Sequence, residues 1–262
     1  MSGEHNALLV DISMCIGCRA CIGACMERQG FHGDAFDNDV LSATNYTQIE
    51  EWGEHYVRRM CMHCISPSCV SVCPVAALRK TDLGPVLYDA KRCIGCRYCM
   101  QSCPFSVPRY EWDEVVPAIA KCDGCYDRIE QGGINACAEA CQFGATISGP
   151  RPELIEEAHR RLREYPDEYY QHVYGENEIG GTSVLFVSPV SFEELGFKIG
   201  LGEEPLPELT LEALARVPGI VTVGGALLLA IRWITQRRDE VAQAEARSGL
   251  REEADELDSP SY

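Results

Sequence analysis

The stretch CIGCRYCMQSCP, Cys93–Pro104, spaces four cysteines as C-x2-C-x2-C-x3-C and closes on a proline. The pattern recurs on both sides of it. Upstream, Cys61, Cys64, Cys69 and Cys73 read C-x2-C-x4-C-x3-C, again followed by a proline, Pro74. Further upstream, Cys15, Cys18, Cys21 and Cys25 repeat the spacing of the first stretch. Downstream, Cys122, Cys125, Cys137 and Cys141 form a looser fourth group. All 16 cysteines of the 262-residue chain fall into these four groups.

Three closely spaced thiolates ending in Cys-Pro form the run that holds three corners of a [4Fe–4S] cube and gives its fourth thiolate to a neighbouring cube. At four soft ligands per cube, the cysteines provide for four [4Fe–4S] clusters. Gly17, Gly23, Gly95 and Gly124 lie inside the groups, where sharp loops need unusual backbone angles. Two blander readings fit less well. Neighbours at C-x2-C spacing are poorly placed for disulfides, which also suit shorter chains. Structural zinc uses two C-x2-C pairs rather than a continuous quartet ending in Cys-Pro.

The formal charge is −17, and each oxidised cluster with its thiolates adds roughly −2 more. That excludes nucleic acid as a partner class, because phosphate binding needs basic surface. The ligand-rich part of the chain has little room for an apolar core, so its folding is coupled to metal binding. No nucleophile–base constellation, phosphate-cradling glycine loop or dinucleotide fingerprint is present, and Gly180-Gly181 lack a following helix of the right pattern. The chain therefore reads as a carrier of electrons, not an enzyme.

Short strand-like runs separate the groups: Ala7–Ile12, Tyr56–Arg58, Pro85–Tyr88, Val107–Tyr110 and Gly144–Ser148. The fold class expected is α+β, with two interlocked ferredoxin-like modules of two clusters each. Groups two and three make one natural pair and groups one and four the other, although spacing alone also allows three to pair with four. Residues 26–54 read as a surface loop. Residues 151–164 read as a helix, with Pro152 near its start and arginines late. Residues 183–188 read as a strand and Leu209–Arg216 as a short helix.

Val217 to Ile231 carries no charge, and Val217 to Gln236 contains only Arg232. About twenty apolar residues cross a bilayer as a helix, so the lipid bilayer is an expected partner; a buried helix is the alternative. Arg232, Arg237 and Arg238 flank the C-terminal side, which by the positive-inside rule places the C-terminus in the cytoplasm and the cluster domain on the periplasmic face. The first fourteen residues hold no basic n-region or apolar h-region. Export would then depend on a partner's signal; a cytoplasmic-facing cluster domain is the alternative. The divisions expected are 1–150 for the four-cluster domain, 151–208 for a helix/strand extension contacting partners, 209–236 for a linker and transmembrane helix, and 237–262 for an acidic, disordered tail.

CMHCISPSCVSVCPVAAL (Cys61–Leu78), CIGCRYCMQSCPFSVPRY (Cys93–Tyr110), the fourth group, YGENEIGGTSV (Tyr174–Val184) and LVDISMCIGCRAC (Leu9–Cys21) together resemble the four-cluster iron–sulfur subunits of membrane-bound hydrogenase-2 and respiratory formate dehydrogenase-N. The resemblance covers about residues 7–235. It implies that one cluster takes Cys15, Cys18, Cys21 and Cys141. A second takes Cys122, Cys125, Cys137 and Cys25. A third takes Cys61, Cys64, Cys69 and Cys103, and the fourth takes Cys93, Cys96, Cys99 and Cys73. It also implies that the group one/four side faces a catalytic subunit, of formate dehydrogenase or NiFe hydrogenase type. The group two/three side would face an integral membrane cytochrome b or quinone-reactive subunit. Gln142 departs from the family's Pro after the last Cys, which should alter the turn slightly and leave the ligation intact. The competing function is a free polyferredoxin shuttle serving several partners.

Beyond the cysteines, His63 is a candidate for tuning a cluster, against a loop histidine of no consequence. Tyr98 and Trp112 are candidates for packing on a cluster, with filling of a small core as the simpler account. Arg97 and Arg109 are candidates for balancing cluster charge or meeting a partner, against a solvated face.

Overall fold

The computed structural model describes residues 5–35, 40–112 and 117–257, with the side chains of residue 212 and residues 245–257 left aside. The chain divides into two compact units, Met1–Leu209 and Thr210–Tyr262.

The first unit is organised by β1 (Asn6–Asp11), whose apolar run LLV is flanked on both edges. It pairs antiparallel with β8 (Thr146–Pro150), Leu9 opposite Ile147, and parallel with β9 (Val184–Val187), Leu9 opposite Leu185. Side chains alternate across a strand, and both faces of this sheet are buried. Ala7, Leu9, Leu185 and Val187 face Leu154, Ala158 and Leu162 of helix α6 (Arg151–Glu164), whose apolar residues recur every fourth position. Leu8, Val10, Val184 and Phe186 face the other way, into a core that also holds Cys122 and Cys137. Asp11, wholly buried, is held by Arg161 at 2.7 Å and by the Tyr169 hydroxyl at 2.7 Å, which fixes α6 to the strand.

The cysteine groups lie on small elements around this sheet. Group one runs into α1 (Ala20–Gln29). The hairpin of β2 (Thr47–Trp52) and β3 (His55–Met60) comes next, Thr47 opposite Met60. Group two carries α2 (Ser68–Ser71), and β4 (Leu78–Lys80) with β5 (Val86–Tyr88) forms a second hairpin. Group three carries α3 (Tyr98–Ser102), then β6 (Arg109–Tyr110) pairs with β7 (Ile119–Ala120). Group four lies on α4 (Tyr126–Glu130) and α5 (Ala136–Glu139). A single 3-10 turn spans Glu178–Gly180.

The expected strands and the helix over 151–164 are present. Residues 26–54 are not one loop: α1 extends to Gln29, and Thr47–Trp52 is a strand whose Thr47, Gln48 and Ile49 are buried. Tight turning at Gly53 (φ 62) lets this segment fold back on β3.

The second unit is one helix, α7 (Glu208–Leu257), with Pro218 inside it. Its portion Glu208–Ala244 is long and apolar enough to cross a membrane, with mean hydropathy 1.9 in its most apolar window. The short helix expected at Leu209–Arg216 is the first part of this same element. Helix also continues through Leu257, where the sequence pattern suggested a disordered tail. The tail's Arg/Glu-rich composition is of good helix formers, interrupted only by Gly249. Residues 258–262 of that tail lie outside the described residues.

Candidate metal centres

Each cysteine group begins with the same local bend. The residue before the second cysteine is left-handed in all four: Gly17 (φ 69), His63 (φ 45), Gly95 (φ 68) and Gly124 (φ 66). Crowding makes the glycine necessary at Gly17, where a Cβ would lie 2.4 Å from the Tyr56 ring. Three groups close with a second bend. After Cys73, Cys103 and Cys141, the amide three residues on donates back to the cysteine carbonyl, at 3.2, 3.1 and 3.2 Å. Gln142 therefore supports the turn that Pro74 and Pro104 support.

These bends aim backbone N–H groups at sulfur. Ala77 donates to Cys73 Sγ at 3.2 Å, Gly124 to Cys122 at 3.3 Å, Gly95 to Cys93 at 3.4 Å and Ala136 to Cys125 at 3.4 Å. Burial raises the Cys73 thiol, but the N–H groups of Leu78, Val75, Ala77 and Ala76 outweigh it and hold the thiol below its ordinary range. Proline supplies no N–H itself, so the chain after it wraps its free donors around the sulfur.

Helix packing brings the groups together in pairs. α1 of group one packs on α5 of group four, and α2 of group two packs on α3 of group three. The electrostatic neighbours of the thiols are more specific. Burial raises Cys15, and its thiol neighbours are Cys141 and Cys18. Burial pushes Cys25 up to about 12, with Cys137 and Cys125 beside it. Cys69 reaches about 12 by burial, next to Cys61 and Cys103. Cys99 reaches about 11 by burial, next to Cys93, Cys96 and Cys73. Electrostatic influence also runs between these neighbourhoods: Cys137 raises Cys21, Cys61 raises Cys122, and Cys99 raises Cys69. Cys18 and Cys96 are the two exposed cysteines.

Three observations test whether the site suits an iron–sulfur cube. Buried thiols with like neighbours resist ionisation, so the arrangement calls for positive charge among them. Among the described residues, no three His, Cys, Asp or Glu side chains converge closely enough for a single metal ion. That disfavours mononuclear zinc and suits a larger inorganic core. Finally, His63 is 4 % exposed, its Nδ1 accepts the Val86 N–H at 2.9 Å, and its Nε2 has no hydrogen-bond partner among the described residues. A buried orphan donor beside Cys61 and Cys64 is the kind of group that a cluster sulfur would satisfy. The donor set fits.

Cations that sequence reasoning passed over also lie here. Arg58, 2 % exposed, donates from Nε to Thr47 Oγ1 at 2.9 Å and from Nη1 to Thr146 Oγ1 at 3.4 Å. Lys80 Nζ donates to the carbonyls of His63 at 2.9 Å and Cys64 at 2.8 Å. Lys121 Nζ donates to Val86 O at 2.5 Å and Cys122 O at 2.7 Å, from a 6 % exposed position. Lys121 is buried and Lys80 half-buried; the scarcity of lysine, four in the chain, was the available signal. Tyr98 and Trp112 are 57 % and 65 % exposed, so neither fills a core. Arg97 instead lies over the rings of Tyr110 and Trp112, at 5.5 and 5.2 Å. Arg109 is tied to backbone, donating to Leu41 O at 3.0 Å and Ser106 O at 2.5 Å.

Comparison with known proteins agrees with this chemistry. Residues 52–151 match the 4Fe-4S dicluster domain family. A protein of Nitratidesulfovibrio vulgaris is 37% identical over 95% of this chain and 72% of its own length. The hydrogenase-2 operon protein HybA of Escherichia coli O157:H7 is 37% identical over 72% of this chain and 71% of its own. The iron-sulfur subunit of nitrate-inducible formate dehydrogenase from Escherichia coli K12 is 36% identical over 69% and 67%.

Proposed function

The chain belongs to the family of iron–sulfur electron-transfer subunits of respiratory oxidoreductase complexes and is not a catalytic subunit; from that premise we propose that it relays single electrons through four [4Fe–4S] clusters, between a catalytic subunit of formate dehydrogenase or NiFe hydrogenase type and a quinone-linked membrane subunit. The observation that carries this reading is the set of thiol neighbourhoods. Cys15, Cys18, Cys21 and Cys141 would hold one cube, and Cys25, Cys122, Cys125 and Cys137 the second. Cys61, Cys64, Cys69 and Cys103 would hold the third, and Cys73, Cys93, Cys96 and Cys99 the fourth. The electrostatic influence of Cys137 on Cys21, of Cys61 on Cys122 and of Cys99 on Cys69 supports this order along a line.

A bound cube supplies a one-electron couple whose potential depends on charge, burial and hydrogen bonds to sulfur. The chain's own residues set those conditions. Backbone N–H groups at Ala77, Gly95, Gly124 and Ala136 stabilise negative charge on sulfur. Leu8, Val10, Met62, Phe186 and Phe192 keep water from the middle of the line. The exposed Cys18 and Cys96 mark its two ends, the first toward the catalytic partner and the second toward the membrane partner. α7 would cross the bilayer once and hold the line at the membrane, with its C-terminal end in the cytoplasm.

The test is truncation after residue 208, followed by fractionation and iron analysis. The anchored relay requires that the truncated chain leave the membrane fraction while retaining about sixteen irons, roughly four per set of cysteines. A full-length chain that is soluble, or one that binds zinc in place of iron, would overturn it.

A further inference from the structure

Among the described residues of the first unit, Arg58 is the one large charged side chain with essentially no exposure, and no carboxylate pairs with it. A guanidinium stripped of water and left without a counter-anion is costly. The chain tolerates it at the wall of the pocket lined by Cys15, Cys18, Cys21 and Cys141. Its fork is held from two sides. Thr47 on the β2–β3 hairpin and Thr146 on β8 accept its N–H groups. Burial works against its charge, and Cys137, Cys21 and Cys122 outweigh burial and favour it. Cys15 and Cys25 also feel it as a cation. The sulfurs that favour its charge thus come from the first set, Cys15 and Cys21, and from the second, Cys25, Cys122 and Cys137.

We propose that Arg58 is the internal counter-cation shared by two adjacent clusters, that of Cys15, Cys18, Cys21 and Cys141 and that of Cys25, Cys122, Cys125 and Cys137. This rests on the electron-relay reading above. A fixed positive charge favours the more negative, reduced state of each cube, and a guanidinium keeps that charge at any working pH. Arg58 therefore makes these two clusters easier to reduce, and its two threonine tethers keep the effect constant. It is a positioning and tuning residue, not a ligand.

The experiment is EPR-monitored redox titration of the full-length holoprotein, as wild type, Arg58→Gln and Arg58→Lys, each with its iron content measured. Loss of the charge is expected to lower the midpoints of two clusters by about tenfold in their oxidised-to-reduced ratio, or ~59 mV for a one-electron couple. The other two midpoints stay in place, and Lys restores most of the shift. If Arg58→Gln loads no iron while Arg58→Lys loads fully with wild-type midpoints, the requirement for charge is supported. Unchanged midpoints in an iron-replete Arg58→Gln protein overturn the proposal. So does a Lys variant that behaves like Gln, because the side chain's shape would then matter and its charge would not. A wild-type protein lacking cubane signals would instead refute the relay itself.

Discussion

The loops Cys15–Arg19 and Cys93–Arg97 share the sequence CIGCR and the same backbone, yet they sit in opposite surroundings. Gly17 and Gly95 have φ of 69° and 68°, and Arg19 and Arg97 have φ of 58° and 62°. Beyond the arginines the two chains of residues diverge. Cys25 lies within the ten-residue α1, whereas Cys103 ends the five-residue α3 in extended backbone, because Pro104 cannot continue it. The first loop leans on the Tyr56 ring and the buried Arg58, beside a sheet covered on both faces. The second lies near Tyr110, with Arg97 stacked over the half-buried Tyr110 and the exposed Trp112. Local sequence fixes how a loop grips metal. Its rigidity and electrostatic setting come from residues elsewhere in the chain.

The largest test of this contrast is removal of iron. The sheet around β1 has two apolar cores, while the region of group three relies on Leu78, Val86 and Ile119 with Cys99. Chelation under reducing conditions is expected to abolish amide-exchange protection across 93–120 while β1 and β9 retain part of theirs. Uniform loss across both regions would break the contrast.

Next come the two glycines. Alanine at either is strained by about 1–3 kcal/mol from the left-handed backbone. At Gly17 the new methyl also meets the Tyr56 ring at 2.4 Å, whereas at Gly95 it meets only the Tyr110 hydroxyl at 3.0 Å. Gly17→Ala should therefore lose iron at a lower temperature than Gly95→Ala; equal loss would show that the surroundings do not matter.

A smaller effect is expected where the two regions meet. Asn6 N–H donates to Leu83 O at 2.9 Å, and His5 Nε2 lies 2.7 Å from Ser183 Oγ. Burial, with Lys80 and Arg151 nearby, lowers the His5 pKa to about 4. The unfolded chain therefore takes up a proton below about pH 6.5 that the folded chain refuses. Stability is full above that pH and falls as the pH drops toward 4, by no more than about 1 kcal/mol once solvent screening is counted. His5→Gln should flatten the pH dependence of Tm between 7.5 and 5.5.

The smallest is Pro104→Ala. The Cys141–Gly144 turn forms without proline, so the group three turn should persist, at about 0.5 kcal/mol from the freer unfolded chain. A change in the iron signals rather than in Tm alone would show that the proline shapes the sulfur environment directly.

Much of this was legible in the sequence. The run from Ala7 to Val10 is apolar without interruption, as a strand buried on both faces must be. Leu154, Ala158 and Leu162 repeat at helical spacing, and the cysteines identify themselves by spacing. β2 was hidden because its buried residues include Thr47 and Gln48, which read as polar surface. Arg58 looks like any strand arginine until Thr146, far along the chain, accepts its N–H. The continuity of α7 was masked by Pro218, which sequence reasoning takes as a boundary and a long helix can carry as a kink.

The packing of α1 on α5 has a consequence in time. Cys15 and Cys141 are neighbours across ~125 residues, and at 5–20 residues per second a ribosome needs roughly 6–25 s to deliver the second after the first. Cys61 and Cys103 are separated by only ~40 residues, or roughly 2–8 s. During synthesis the cysteines of groups two and three are thus all present while group one still waits for group four. With the cysteine sets proposed above, the chain becomes ready for iron from the middle of its sequence outward, and the earliest-made cysteines are the last to meet all their partners.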